Sequence, residues 1–383
     1  MHTDTVRKAL ELLGVSAEEA EELKKRRLIR IMEYRDLTYI VVTRDARGLT
    51  QGTIAVAGRT EARLVPGYPP ITRVLLPSIA LPKHFIDKVV VEEKMNGYNV
   101  RVFELEGNLY AATRGGYICP YTTHRIRRMQ GEKLRKLIES LGPETTLFGE
   151  VVGLENPYTR YYYPEAPSFG YFIFDIHTEE GFMPPQKRIE FVENHGIPHV
   201  PVHGIIDKND AKSLRRIMEK LEKQGREGVV LKDPQGRVPP LKYTTSRTNT
   251  SDLELGMKFF FEEGRSFLFS RILRQVFMAY EEDWNKQRLE EEAKRLGRAI
   301  LLPAVQAIRD VAEGKGLYEE YTLRFGDEKE MIEFEEHMAS LGVVVARGEV
   351  RRQDNEILVT YKKFKDTATS IASILRTGLS PLD

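Results

Sequence analysis

VVVEEKMNGYNVRVF, residues 89–103, carries the reading of this chain. Three valines open a β-strand, because β-branched side chains fit a pleated, half-buried surface. Glu92, Glu93 and Lys94 end it, and Gly97 breaks the chain before a second alternating run begins. The pattern predicts a strand that delivers Lys94 to a turn. A lysine partly dried by valines loses ammonium stability. Its pKa falls from about 10.4, which frees the neutral amine as a nucleophile. Gly97 permits a tight turn and close approach by a bulky ligand. A surface lysine ahead of a hairpin would look the same. A K-x-x-G tetrad also turns up about once or twice by chance at this length, so context has to decide.

Four further segments in the same block supply that context. TTLFGEVVG (145–153) sets Glu150 in a Gly-flanked strand, and YFIFDIH (171–177) ends an apolar strand on Phe174 and Asp175. REGVVLKD (226–233) opens a strand with Glu227 and Gly228 and closes it with Lys232, and PLKYTT (240–245) places Lys242 in the next one. Taken singly, each is an ordinary solvated strand end or a core aromatic. Together they supply, in order, an amine, a carboxylate, an aromatic face, a second carboxylate and further lysines. That ordered set is hard to obtain by accident.

Outward from this block the chain divides into four stretches. Residues 1–65 read as an N-terminal α/β module. It has two helices, the second opened by a Ser16/Glu19 capping box, then strands LIRIMEY, TYIVVTRD and GTIAVAG in a small sheet. A proline-rich connector from residue 66 leads into the central domain, 66–250. This is an α+β block dominated by an antiparallel sheet, with helices expected only near 121–141 and 206–224. Residues 251–315 are helical and rich in large apolar side chains. Phe269, Ile272, Leu273, Val276, Phe277 and Tyr280 share one helical face, as suits either the segment's own core or a homodimer interface. Residues 316–383 read strand, helix, strand, strand, helix, a small α+β domain with basic strands.

Composition sets bounds. The 383 residues carry a formal net charge of +1, so any nucleic-acid surface must be local. One cysteine, Cys119, rules out a disulfide framework or a Cys-rich zinc site. No apolar run reaches membrane-spanning length, and the amino terminus lacks a signal peptide's apolar core, so a cytoplasmic setting is expected. Abundant Glu, Lys and Arg point toward a thermophile.

Lys94-x-x-Gly97, ATRGG (112–116), FGEVVG, FIFDIH, EGVVLK and LKYTT resemble, in order and spacing, the nucleotidyltransferase motifs of ATP-dependent polynucleotide ligases and mRNA capping enzymes. Asn99, five residues after the lysine, is similar to RNA ligases, whereas DNA ligases usually show K-x-D-G-x-R. The four-part layout looks like the archaeal homodimeric ATP-dependent RNA ligases. The resemblance implies an antiparallel-sheet adenylation domain, ATP as co-substrate and Mg²⁺ as metal, with Mn²⁺ an alternative. It implies that Lys94 takes AMP, passes it to an RNA 5′-phosphate, and that a 3′-hydroxyl then seals the strand. It further implies Lys242, Lys232 and Arg114 at phosphate oxygens, Glu150 at the ribose, Phe174 on the adenine and Asn99 at the RNA end. Glu227, with Glu150, would hold the metal. One departure is Pro240, where relatives often read K-x-K; only Lys242 remains.

The expected partner is single-stranded RNA with 5′-phosphate and 3′-hydroxyl ends, including circularisation, with weak single-stranded DNA activity conceivable. Residues 251–315 would form the dimer. A DNA end-joining ligase, a GTP-dependent capping enzyme and a non-catalytic RNA-binding protein stay open as alternatives.

Overall fold

The computed structural model describes residues 2–379. Helices α1 (His2–Leu12) and α2 (Ala17–Lys25) come first, and Ser16 and Glu19 close the expected capping box on α2. Strands β1 (Ile29–Tyr34), β2 (Leu37–Val42), β3 (Ile54–Ala57) and β4 (Ala62–Val65) form an antiparallel sheet in sequence order. Its two faces bury different partners. Ile40 and Val42 pack under α1 with Ala9 and Leu10, while Tyr39 and Val41 meet Phe103 and Leu105 of the central block. Burial on both sides leaves every position of β2 and β3 buried, without alternation.

The connector holds two elements that its prolines hide, β5 (Thr72–Arg73) and α3 (Pro77–His84). The central block continues with β6 (Lys88–Lys94), β7 (Tyr98–Leu105), β8 (Asn108–Thr113), α4 (Pro120–Leu141), β9 (Thr146–Val152), β10 (Gly170–Thr178) and β11 (Gly181–Phe182). Then come α5 (Pro185–Asn194), β12 (Val202–Asp207), α6 (Ala211–Lys223), β13 (Gly228–Lys232) and β14 (Leu241–Thr244). These strands make two five-stranded sheets, ordered β11-β10-β9-β7-β8 and β12-β6-β13-β14-β5. All pairs are antiparallel except β14 with β5. Helix α5 and strand β12 lie outside the expected pattern; β12 takes up the start of the stretch read as helix from 206.

The turn after Lys94 is no hairpin. β6 pairs with β12 and β13, whereas β7 pairs with β8 and β9. Residues 95–97 therefore cross from one sheet to the other and leave Lys94 at the mouth of the cleft between them.

Helices α7 (Ser246–Lys258), α8 (Arg265–Glu281) and α9 (Lys286–Ala312) follow. The chain ends in β15 (Tyr318–Phe325), α10 (Glu328–Ser340), β16 (Val345–Gln353), β17 (Glu356–Phe364) and α11 (Thr367–Thr377), with sheet order β15-β17-β16. This terminal unit shares a core with the central block: Phe325, Phe334 and Tyr361 join Tyr121 and Ile138 of α4 in one cluster. Among the described residues no helix is long and apolar enough to cross a membrane.

Candidate active site

One cavity of about 570 Å³ is lined by all eight residues singled out from the sequence: Lys94, Asn99, Arg114, Glu150, Phe174, Glu227, Lys232 and Lys242. Strand register explains the convergence. On the β6 sheet, Glu92 faces Val230, Val230 faces Lys242 and Lys242 faces Arg73, forming one cross-strand row. Lys94 sits one step along, opposite Gly228. On the other sheet, Asn99 faces Glu150 across β7 and β9. Side chains that are direct cross-strand partners share a face, so each sheet presents its polar row to the cleft.

Two glycines set the geometry. A Cβ on Gly97 would lie 2.1 Å from the Val151 carbonyl oxygen, so the crossing can pack on β9 only without a side chain. The close approach is to the strand that carries Glu150, where the sequence pattern had pointed to a ligand. Gly228, at φ +152° and with its would-be Cβ 2.2 Å from the Tyr243 carbonyl oxygen, turns the chain directly after Glu227. Glu227 thereby reaches across to Lys94, Oε1 to Nζ 2.6 Å.

The carboxylates and lysines differ in environment. Burial pushes the Glu150 carboxyl up to about 8, opposed in part by Lys94, by a Gly97 amide hydrogen bond and by Arg114. Burial pushes the Lys242 ammonium down to about 8, helped by the positive neighbours Arg73, Lys94, Arg114 and Arg274. At neutral pH Lys242 stays mostly charged and Glu150 mostly protonated.

Lys232 departs from the free phosphate ligand expected of it. Its side chain is 4% exposed, and its ammonium meets the Phe174 carbonyl at 2.7 Å, Asp175 Oδ1 at 2.7 Å and Glu92 Oε2 at 2.9 Å. Its hydrogen bonds go to the Phe174 carbonyl and Asp175, while Glu92 faces it as an ion pair without a hydrogen bond. Arg188, fully buried, pairs with the other Glu92 oxygen, and the Tyr68 hydroxyl bonds to Asp175. Lys232 is thus a buried strut beneath the cleft. Phe174, half-buried, packs edge-on to Tyr68 with ring centroids 5.1 Å apart and lines the cavity above that strut.

Arg114 is exposed at the turn after β8, and the turn is pinned from below. Arg101, fully buried in β7, donates to the carbonyls of Thr113 at 2.7 Å, Pro66 at 2.8 Å and Gly52 at 2.6 Å. It ties the N-terminal sheet, the connector and the Arg114 turn together. Its sequence signal was one arginine in the apolar alternation YNVRVFEL. Arg73, Asp252 and Arg271 also line the cavity and carry no local sequence signal.

Among the described residues no group of three His, Cys, Asp or Glu gathers as a metal site. Two carboxylates on one cleft do not form an all-protein cage. They fit a hard cation that keeps most of its water and takes further oxygens from phosphate.

Residues 87–244 match the RNA ligase family, and residues 255–378 match the family described as the ligase Pab1020 C-terminal region. The chain is 38% identical over 362 residues to the uncharacterized protein MJ0414 of Methanocaldococcus jannaschii, covering 93% of this chain and 90% of that one. A solved structure described as an archaeal ATP-dependent RNA ligase superposes with a TM-score of 0.88 at 33% identity, over 97% of this chain and 98% of that chain. Another, described as a putative ATP-dependent DNA ligase from Aquifex aeolicus, reaches a TM-score of 0.85 at 29% identity over 95% and 100%.

Proposed function

Because this chain belongs to the family of archaeal ATP-dependent RNA ligases, we propose that it joins RNA 5′-phosphate and 3′-hydroxyl ends through three displacements at phosphorus in the cleft beside Lys94. In the first, the neutral Lys94 amine attacks the α-phosphorus of ATP. An N–P bond forms, and the bond to the bridging oxygen breaks with its electron pair leaving on pyrophosphate. In the second, an RNA 5′-phosphate oxygen displaces Lys94 from AMP. In the third, a 3′-hydroxyl oxygen attacks the adenylated 5′-phosphate and AMP departs.

Such displacements ask for positioning and charge neutralisation more than for acid–base chemistry. Lys242 is the cation placed to meet the α-phosphate. Glu227 aims the Lys94 nitrogen and can accept a proton from its ammonium. Glu150, as a neutral acid, can both donate to and accept from ribose hydroxyls. Phe174 offers a face to adenine, Arg114 an exposed guanidinium to phosphate or ribose, and Asn99, whose buried Oδ1 has no protein partner, an amide to the RNA end. Lys232 holds Phe174 and Glu92 in place from beneath. A divalent ion, Mg²⁺ or Mn²⁺, would be held through largely retained water by Glu227, joined by Glu150 only once the ion displaces the Glu150 proton, and would neutralise phosphate charge.

The observation that carries this assignment is the 2.6 Å contact between Lys94 and Glu227 at the mouth of a cavity that also holds Lys242, Glu150 and Phe174. We further infer that RNA is taken single-stranded and that the protein works as a homodimer through 251–315. Phe269, Val276 and Tyr280 on α8 and Leu301 and Leu302 on α9 are exposed apolar side chains, which supports a covered face.

The test is incubation with ATP, Mg²⁺ and a 5′-phosphorylated single-stranded RNA, with matching DNA in parallel, resolved on a denaturing gel. Circles or joined strands with adenylated intermediates from the RNA are expected. Efficient sealing of DNA alone would favour the DNA-joining alternative. Absence of label from α-³²P ATP on Lys94 would remove the covalent mechanism.

A further inference from the structure

A cluster of cations at the β5 edge of the cleft lies outside the residues assigned above. Arg73 stands beside Lys242 across the parallel β14–β5 ladder, at the end of the row Glu92–Val230–Lys242–Arg73. Beyond that edge strand, α8 supplies Arg271 and Arg274, three residues apart and so on one helical face. Arg271 lines the same cavity as Lys94. It is held from behind by Asp252 at 3.0 Å and by the Phe267 ring, 3.4 Å from the guanidinium carbon to the ring centre. Arg274 Nε is buried without a hydrogen-bond partner.

The placement is rigid. Arg73 donates to Thr244 Oγ1 at 2.9 Å, Thr244 to Asn249 Oδ1 at 3.2 Å, and Asn249 to Gln275 Oε1 at 3.3 Å. This buried polar chain fixes β5, β14, α7 and α8 against one another and holds Arg73 and Arg271 at the cleft wall, with Arg274 close behind them. Gathering like charges in a half-dry site costs free energy unless an anion shares it. Asp252 is committed to Arg271 and Glu227 to Lys94, so the protein's own carboxylates leave the cluster with surplus positive charge.

The direction of the cleft names the anion. Phe174 is tied through Lys232 to β13, and Lys94 and Lys242 lie at the centre. Arg73 lies on the edge strand β5, two strands from β13, and Arg271 of α8 is near enough for its charge to act on Arg73. A nucleotide with its base on Phe174 and its α-phosphorus at Lys94 and Lys242 would extend its remaining phosphates to that edge. We propose that Arg73, Arg271 and Arg274 form the subsite for the β- and γ-phosphates of ATP and for the pyrophosphate they become. This rests on the ligase reading above and goes further by giving helix α8 a part in the first step. Pyrophosphate leaves carrying the electron pair of the broken P–O bond, and guanidiniums placed there stabilise that charge. The reverse reaction, attack of a pyrophosphate oxygen on lysyl-AMP, would use the same cradle.

The test isolates wild-type protein as its lysyl-AMP form and titrates it with pyrophosphate, following ATP resynthesis. Arg271→Gln and Arg274→Gln are expected to raise the half-saturating pyrophosphate concentration tenfold or more, and Arg271→Lys to recover part of the loss. The same variants are assayed in sealing a chemically pre-adenylated RNA, which carries no leaving pyrophosphate. The loss there should be at least fivefold smaller. Unchanged pyrophosphate dependence in variants that melt with the wild type overturns the proposal, and so does an equal loss in both assays, which would make the cluster an RNA-phosphate site. If wild-type protein forms no lysyl-AMP, the ligase reading itself fails, an outcome distinct from either of these.

Discussion

Lys94 and Glu227 arrive on adjacent strands, and Glu227 Oε1 stands 2.6 Å from Lys94 Nζ because Gly228, directly opposite Lys94, turns the chain behind it. The contact fixes the nitrogen's position before any nucleotide enters. Glu227→Gln keeps the shape and removes the charge. It is expected to slow transfer of label from α-³²P ATP to Lys94 by about 10²–10⁴-fold, the range for losing a positioned proton-transfer group. The melting temperature should stay near the wild-type value. Unaltered labelling would show that the carboxylate has no part in the step.

The two lysines expected to share phosphate contacts should separate cleanly. Lys232→Met strands Glu92 and Asp175, both buried, without their shared cation. Breaking a buried pair costs about 3–5 kcal/mol, so chemical denaturation should show a large fall in stability. Lys242 is crowded by Arg73, Lys94, Arg114 and Arg274. Lys242→Met relieves that repulsion and should leave stability equal or higher while adenylation collapses. Equal stability of the two variants would refute the distinction.

This contrast shows where sequence reading reaches its limit. Lys94, Glu150 and Glu227 were legible because each sits in a short local pattern of strand, charged residue and glycine, and Lys242 because it stands in the next strand of the same block. The same holds for the Ser16/Glu19 cap and the terminal strand–helix–strand–strand–helix unit, whose signals span a few residues each. Lys232 shares such a pattern, but its job is set by Asp175, 57 positions earlier, and by Glu92. Arg73 lies in a two-residue strand that exists only by pairing with β14. Arg271 falls on an apolar helix whose polar edge means nothing until it is packed beside the cleft. Contacts made by distant chain segments leave no periodicity to read.

Gly97 tests the crossing between sheets. A methyl at that position meets the Val151 carbonyl oxygen at 2.1 Å and the Val152 side chain at 2.9 Å. Gly97→Ala must push the turn off β9, at a cost of about 1–3 kcal/mol typical of overpacking. The displacement also separates Lys94 from Glu150. Adenylation should therefore fall by more than the stability loss explains, at temperatures where the variant is fully folded by circular dichroism. Wild-type adenylation would show that the crossing tolerates the shift.

The exposed face of α8 makes a prediction about assembly. Phe269, Val276 and Tyr280 are 60%, 57% and 77% exposed, on the side of the helix away from buried Gln275 and Met278. Phe269→Glu combined with Tyr280→Glu places two charges on that face without touching the cleft wall. Light scattering at micromolar concentration is expected to report a dimer for the wild type and a monomer for the double variant. A monomeric wild type would leave the face without an assigned partner.

His337 gives the fold a defined weakness in acid. It lies in α10, 8% exposed, with Nε2 3.5 Å from the Tyr158 hydroxyl, and burial pushes its imidazole down to about 4. In the unfolded chain the same ring takes up its proton near 6.5. The depressed group therefore contributes its full stability above about 6.5, and that contribution is lost as the pH falls through the window from 6.5 to 4. The shift corresponds to about 3 kcal/mol across the window at roughly 1.4 kcal/mol per pH unit. Carboxylates such as Glu319 and Glu333, held low by Lys365 and Arg35, add acid sensitivity chiefly below their own unfolded range near 4.5. His337→Gln removes only the imidazole. Urea titrations at pH 7, 5.5 and 4.5 should show a wild-type stability that falls more steeply than the variant's, most of the difference arising between 6.5 and 4.5. Parallel pH profiles for the two proteins would mean that the histidine is protonated within the fold and that its burial does not govern this response.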